Sequence, residues 1–297
     1  MIPNRLLAIV GSILMLTACS SGPKAPPSDE VPPPSATQAT APAASPAPAA
    51  QRTLRVVTWN IHHGAGTDGR VELGRIAARL RELNPDVIFL QEVDRLTNRS
   101  GRIDQPTWLA HHLGMWSAFG AFMPYDGGEY GMCILSRWPV HDVRNVELPP
   151  GDLEPRISLA ASLPLEQGVN IRLFNVHLDW LDDDSDRYAQ AQALLNVVTA
   201  DVAAMGNAPA IIGGDFNDGP GSRTVQLFRS NFTEAAKSQP TGGQGTTTAT
   251  WPSHAPSSEI DFVFILPAGV LVAGPAESLE ANGASDHRPV LTTVQVR

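Results

Sequence analysis

Short apolar runs recur along this chain, and nearly every one stops at a residue that can hold a metal ion or move a proton. Val56–Trp59 ends in Asn60, Val87–Leu90 in Gln91 and Glu92, Leu173–Val176 in His177, and Ala210–Gly214 in Asp215. Ser285, Asp286 and His287 stand immediately before the last run. Continuous apolar runs of this length read as strands buried on both faces. The pattern therefore demands sheets covered on each side, with chemistry gathered where the strands end.

Between the runs lie helix signals. Val71 to Leu83 carries apolar residues at helical spacing, and Asn84 and Pro85 stop it. A helix is expected around Trp108–Leu113, a long one over Asp184–Met205, and a short one near Ser222–Phe228. Strands are expected at Leu54–Trp59, Asp86–Leu90, Trp116–Ala121, Gly131–Ser136, Val140–Leu148, Ile157–Leu163, Val169–His177, Pro209–Gly214, Ile260–Leu266 and Pro289–Val296. A polar loop should follow Leu90, and a Gly/Thr-rich loop should span 241–250. Several strands are consecutive, which favours antiparallel pairing, so the fold class is α/β with layered mixed sheets rather than a strictly parallel doubly wound sheet.

The first fifty residues cannot join that core. Arg5 precedes an apolar run from Leu6 to Leu16 that ends in Leu-Thr-Ala-Cys, so residues 1–18 read as a secretory signal. The run is too short for a bilayer that needs about 20 residues. The LTAC string resembles the lipobox of bacterial lipoproteins, in which Cys19 becomes the acylated N-terminus. Residues 19–50 hold nine prolines, many Ala and Ser and no aromatic side chain, the composition of a semi-extended tether. The folded domain is expected over 51–297, outside the cytoplasm and lipid-anchored to the cell membrane or the outer membrane, as a monomer.

Charge narrows the partners. The whole chain has 30 acidic and 21 basic side chains, a net charge of −9, and its only lysines are Lys24 and Lys237. Duplex nucleic acid is normally held by clustered Lys and Arg, so nucleic acid is disfavoured as a partner. The two cysteines, Cys19 and Cys133, offer no internal disulfide once Cys19 is assigned to the lipobox. Carboxylates and amides without clustered Cys suit a hard ion, Mg²⁺ or Mn²⁺, and nothing here has zinc-ligand spacing. Two histidines with nearby acids supply an imidazolium beside phosphoryl oxygens and a general acid or base.

The strings TWNIHHG (58–64), LQEVD (90–94), YGMCILSR (130–137), NVHLD (175–179), GGDFND (213–218) and SDHRPV (285–290) resemble, in order, those of the endonuclease/exonuclease/phosphatase superfamily, the DNase I-like fold. The resemblance covers 53–297. It implies a four-layer α/β/β/α sandwich with mixed, mainly antiparallel sheets, and hydrolysis of a phosphoester by in-line attack of a metal-assisted water. It further implies Glu92 as main metal ligand with Asn60 beside it, and Asp286 as a second carboxylate on the metal or water side. Asp215 would orient or deprotonate the water, and Asn217 would donate to a phosphoryl oxygen. His287, oriented by Asp261, would stabilise the pentavalent phosphorus, and His177 would lie near the phosphate or leaving oxygen.

Other residues keep two readings. Arg156 is either a phosphate contact or a surface ion pair, and Tyr130 either a substrate contact or core. One of His62 and His63 lines the site, or both are supporting. Asp182, Asp183, Asp184 and Asp186 cap the long helix at its positive end or hold a cation. Two departures from the family strings bear on substrate: Met132 replaces an amide expected to face it, and Glu259 stands where an Arg is common. The expected activity is a Mg²⁺- or Mn²⁺-dependent phosphodiesterase acting on a lipid head group or small molecule. The alternatives are an extracytoplasmic nuclease and a lipoprotein that kept the fold as a binding module.

Overall fold

The computed structural model describes residues 52–151, 154–165, 168–237, 247–266 and 269–297. The expected signal, Cys19, the tether and most of the Gly/Thr-rich loop lie outside the described residues.

Twelve strands and four helices are named in chain order. They are β1 (Arg52–Asn60), α1 (Leu73–Leu83), β2 (Val87–Arg95), α2 (Gln105–Leu113), β3 (Trp116–Tyr125), β4 (Gly128–Ser136), β5 (His141–Glu147) and β6 (Ile157–Pro164). There follow β7 (Asn170–His177), α3 (Ser185–Ala204), β8 (Ala210–Asp215), α4 (Arg223–Asn231), β9 (Thr233–Glu234), β10 (Asp261–Leu266), β11 (Leu271–Ser278) and β12 (Val290–Val296). One sheet runs β11-β12-β1-β2-β4-β3 and the other β5-β6-β7-β8-β10-β9. Among the described strands only β1–β2 and β7–β8 pair in parallel, each joined by a crossover helix, α1 and α3. This is an α/β sandwich of two mixed, mainly antiparallel sheets with helices outside, as the sequence implies.

Alternation along each strand builds the layers. Val56, Phe89, Ile134, Leu173, Ile211 and Val263 point into the core between the sheets. Their neighbours Val57, Ile88 and Leu135 meet Ile76, Leu80 and Leu109 of α1 and α2. On the other side Phe174, Ile212, Phe262 and Phe264 pack under Leu194 and Val198 of α3 and Phe228 of α4. Because both faces of both sheets are covered, the strands read as unbroken apolar runs. The sheets approach closely at Gly213, where an added Cβ would sit 2.5 Å from the Phe89 ring.

One polar clamp ties the sheets together at the site end. Gln91 Nε2 donates to Asn175 Oδ1 (2.7 Å), and Asn175 Nδ2 donates to the carbonyls of Leu90 and Cys133 (2.9 Å each). Both side chains are fully buried, so each lost bond would orphan a buried partner.

The structure departs from the sequence reading in places. No loop follows Leu90, because β2 continues to Arg95 through a bulge between Leu90 and Val93. α2 opens earlier than expected, where Asp104 Oδ1 accepts from Thr107 N and Pro106 starts the helix. β11 is not expected at all, since Gly274 and Pro275 interrupt it. It is an edge strand with a register shift between Ala273 and Ala276, the setting in which a sheet tolerates Pro.

Candidate active site

Parallel pairs deliver side chains at their carboxyl ends, and here both pairs point to one cleft of about 640 Å³. In the second sheet, His177, Asp215 and Asp261 are register partners across β7, β8 and β10. Three ionisable side chains thus form a single row at the sheet end. In the first sheet, Asn60 ends β1 opposite Gln91. The bulge in β2 then turns the chain at Glu92, which takes a positive φ of 56°. Gln91 enters the inter-sheet clamp, while Glu92 lines the cleft half-buried.

Asn60 joins the two sides. Its Nδ2 donates to Glu92 Oε1 (2.9 Å) and to Asp215 Oδ2 (3.1 Å), and its Oδ1 accepts from the His62 N–H (3.0 Å). Two imidazoles face the same Asp215 oxygen, with His287 Nε2 at 3.7 Å and His177 Nε2 at 3.8 Å. His287 Nδ1 meets Asp261 Oδ2 at 3.0 Å, and its backbone is pinned by Trp59 Nε1, which donates to the His287 carbonyl (2.9 Å). Ser285 Oγ donates to the Asn60 carbonyl (2.7 Å), fixing the 285–287 segment to the end of β1. Asn217 has φ 50°, its N–H donates to Asp215 Oδ1 (2.9 Å), and its Nδ2 donates to the Leu178 carbonyl (3.0 Å).

Burial and neighbouring charge set the protonation states. Burial, reinforced by the Asp261 carboxylate, pushes Asp215 up to about 7, against the pull of His287 and the Asn60 and Asn217 hydrogen bonds. Burial works against charge on His287, but the Asp261 and Asp215 carboxylates outweigh it and raise the imidazole to about 10. His177 moves the other way, well below the ordinary histidine range, through burial and the nearby Arg156 and His287 cations. Near neutral pH His287 is an imidazolium, His177 a neutral imidazole and Asp215 a carboxyl poised to exchange a proton.

Nine of the sequence-derived residues line the cleft: Asn60, Glu92, Tyr130, Arg156, His177, Asp215, Asn217, Asp286 and His287. Asp261 stands behind His287, fully buried. Arg156 is not a surface residue. It is buried, its Nη2 meets Glu154 (3.0 Å), and its Nε and Nη1 have no hydrogen-bond partner among the described residues. Tyr130 is buried, and burial first and the Glu92 carboxylate next raise its hydroxyl well above the usual tyrosine range. Asp286 is partly exposed, 3.4 Å from the Trp251 indole Nε1–H and 3.8 Å from His62 Nδ1.

Neither departure from the family strings lines the cleft. Met132 is fully buried in the core between the sheets, on the strand face it shares with Tyr130, and does not itself line the cleft. Glu259 holds Lys237 in a buried pair (3.1 Å), with the ammonium 4.1 Å above the Phe262 ring, and neither residue lines the cleft. In the acidic run, Asp183 accepts from Ser185 N and Oγ, Asp184 pairs with Arg223, and Asp182 lines the cleft. Trp180, 55% exposed, and Trp251, 40% exposed, flank the opening together with Glu154. Residue type alone did not single these out. The only sequence signal was that Trp180 follows NVHLD directly.

The donor set can be tested against a cation. Glu92 and Asp286 bring carboxylate oxygens to the cleft, and Asn60 brings an amide whose Nδ2 faces Glu92 and Asp215, a hard donor set without thiolates. Such a set fits Mg²⁺ or Mn²⁺. A carboxylate–imidazole row facing an oxygen-rich cation seat defines a hydrolase of phosphoric esters as a class.

Known proteins agree with that class. The model of the "Endonuclease/Exonuclease/phosphatase family" matches residues 57–287, and the chain belongs to this family, whose members are hydrolases, generally dependent on divalent metal. Among curated relatives it is similar to the uncharacterized protein YbhP of Escherichia coli K12, at 24% identity over 83% of this chain and 98% of that one. Among solved structures it is similar to an endonuclease/exonuclease/phosphatase from Beutenbergia cavernae, at 24% identity, TM-score 0.67, and 83% and 72% coverage of the two chains. It is also similar to a mannosyl-6-phosphatase of Bacteroides thetaiotaomicron, at 18% identity, TM-score 0.61, and 81% and 99% coverage.

Proposed function

We propose that this protein is a Mg²⁺- or Mn²⁺-dependent phosphodiesterase acting on a small or lipid-head-group phosphodiester. The observation that carries the reading is the Asp261–His287–Asp215 row set against Asn60, Glu92 and Asp286 across one cleft. A divalent ion held by Glu92 and Asp286, with Asn60 alongside, would neutralise phosphoryl oxygen charge.

The chain's own residues do the rest. Asp215, with a proton affinity near neutrality, accepts a proton from the attacking water at Oδ2, the oxygen that Asn60 already orients. His287, kept protonated by Asp261, donates through Nε2 to the charge that builds on the phosphoryl oxygens. Neutral His177 and the free Nε and Nη1 of Arg156 supply further donors for the phosphate or the departing oxygen. The second N–H of the Asn217 amide is left for the same task.

Substrate class follows from charge. The cleft is lined by Glu92, Glu154, Asp182, Asp215 and Asp286 against Arg156, the only Arg or Lys of its lining among the described residues. A long polyanion gains little there, since its affinity depends on clustered cations. Anchorage through Cys19 and a 19–50 tether, outside the cytoplasm, would bring such a cleft to head groups at a membrane surface. A phosphomonoester acted on by the mannosyl-6-phosphatase relative is the neighbouring chemistry to include in the test.

The test is cleavage by the purified full-length chain of bis-aryl phosphate, phospholipid, sugar phosphate, inositol phosphate and DNA, with Mg²⁺, Mn²⁺ or EDTA. Metal-dependent turnover, fastest on the small or lipid diesters, is expected. DNA as the best substrate would overturn the substrate class in favour of an extracytoplasmic nuclease. Turnover of nothing, with metal bound, would favour a binding lipoprotein.

A further inference from the structure

Two histidines beside the cleft have no part in the chemistry above. His62 and His63 form the 3₁₀ turn His62–Gly64 directly after β1, and both sit at positive φ, 45° and 43°. Non-glycine residues rarely adopt that region, and strain of this kind gathers at functional sites. The turn is held from both sides: the His62 N–H donates to Asn60 Oδ1 (3.0 Å), and Gln105 Nε2 donates to the His63 carbonyl (2.7 Å). The result is a preset pair of rings, edge to face, with centroids 4.5 Å apart.

What these rings lack is a partner. Nδ1 of each is shielded from solvent and makes no hydrogen bond among the described residues, the nearest carboxylate oxygen to His62 Nδ1 being Asp286 Oδ1 at 3.8 Å. One ring nitrogen of each histidine and one carboxylate oxygen of Glu92 all lie within 4.8 Å of one another. Ligands on opposite sides of a transition ion stand about 4.2 Å apart, given metal–ligand bonds near 2.1 Å, so a small side-chain rotation would close the set. Arg99 is bound at two points by Asp94 (2.9 and 2.8 Å), and burial first and the Arg99 charge next hold the His63 imidazole down to about 4, in the neutral form that a metal ion takes as ligand.

We propose that His62, His63 and Glu92 form a second cation seat, for a borderline divalent transition ion such as Co²⁺ or Zn²⁺. It adjoins the oxygen-rich seat and shares Glu92 with it, so it rests on the reading of that seat given above. Imidazole nitrogen suits these ions and does not suit Mg²⁺, which takes oxygen in near-octahedral geometry. The two seats therefore differ in chemistry: Mg²⁺ occupies one, and a transition ion can occupy both.

The experiment uses the full-length chain, without a histidine tag, stripped by chelator. Cobalt bound after gel filtration is counted by elemental analysis, and its visible absorption is followed during titration. Mg²⁺ affinity is measured by calorimetry. Two equivalents of Co²⁺ are expected for the parent and one for His62→Gln/His63→Gln, with Mg²⁺ affinity unchanged within about twofold. The single variants His62→Gln and His63→Gln should each weaken the second Co²⁺ at least tenfold, and they carry the test where the double variant does not fold. One equivalent in both parent and double variant overturns the imidazole seat alone. Two equivalents retained by the folded double variant overturns it as well. No cation bound by the parent at all overturns the oxygen-rich seat and the proposed function with it.

Discussion

The molecule carries one backbone unit twice. β1–α1–β2 lies between antiparallel β12 and β4, and β7–α3–β8 lies between antiparallel β6 and β10. Each unit ends its parallel pair at the cleft, yet the two ends do opposite work. The first presents Asn60 and, through a bulge, a half-buried Glu92. The second presents His177 and Asp215 in unbroken register, both almost wholly buried. A carboxylate carried out of the ladder stays hydrated and ready for a cation. One left in the ladder beside Asp261 holds its proton to near neutrality. Under the proposed function, burial rather than backbone topology would separate ligand from acid–base group.

The sharpest way to break this comparison is to neutralise one carboxylate in each unit. Asp215→Asn should lower kcat by about 10³-fold, the scale of a lost general base, while leaving Mg²⁺ affinity nearly unchanged. Glu92→Gln should weaken Mg²⁺ binding by about 100-fold or more in calorimetry, and restore part of its rate at high metal concentration. Equal loss of metal affinity in the two variants would show that the units are not divided in this way.

The second unit also predicts a pH signature. With Asp215 near 7 and His287 near 10, kcat/KM should rise through about pH 7 and fall as pH approaches 10. Asp261→Asn removes the charge that raises His287, so the falling limb should move at least one unit lower. Stability follows the same sign. A histidine raised on folding stabilises fully below its unfolded value near 6.5, and that contribution is lost as pH climbs to about 10. The drop in Tm between pH 6 and 10 should be larger for the parent than for Asp261→Asn.

How much of this is readable in the strings is clearest at Glu92 and Gln91. The apolar run ending in Gln-Glu marks a strand terminus with chemistry, and the motif order leads to the layers and the site residues. What the run cannot reveal is that the strand continues, and that a bulge sends Gln91 inward and Glu92 outward. That outcome depends on pairing with β4, a contact between distant segments. Trp180 and Trp251 were missed for a related reason, since exposure at a cleft mouth is a property of tertiary structure. The backbone repeat is likewise invisible, because the two units share geometry without sharing side chains.

The inter-sheet clamp sharpens the comparison from the structural side. Asn175→Ala would take an acceptor from the Gln91 amide, which keeps its bond to Thr58 Oγ1 (3.2 Å), and a donor from the buried Leu90 and Cys133 carbonyls, at about 1–3 kcal/mol for any group left unpaired. A denaturant midpoint should fall accordingly. Activity measured well below that midpoint should fall too, because Asn175 and Gln91 set the distance between the two strand ends. A stability loss with full activity would mean that the sheets keep their spacing without the clamp.

The smallest effect on catalysis is expected at Met132, a departure from the family strings that is fully buried and does not line the cleft. Met132→Asn restores the family pattern, but it places an amide among Val56, Phe89 and Ile134 with no partner to receive it. Burying an unpaired amide costs about 1–3 kcal/mol on mutational scales, so Tm should drop while kcat/KM ratios across the substrate panel stay put. A shift in substrate preference, at unchanged stability, would mean that this side chain reaches the cleft. Met132 shares its β4 face with Tyr130 of the cleft, but it lies one pleat deeper, fully buried and outside the lining, which argues that it does not.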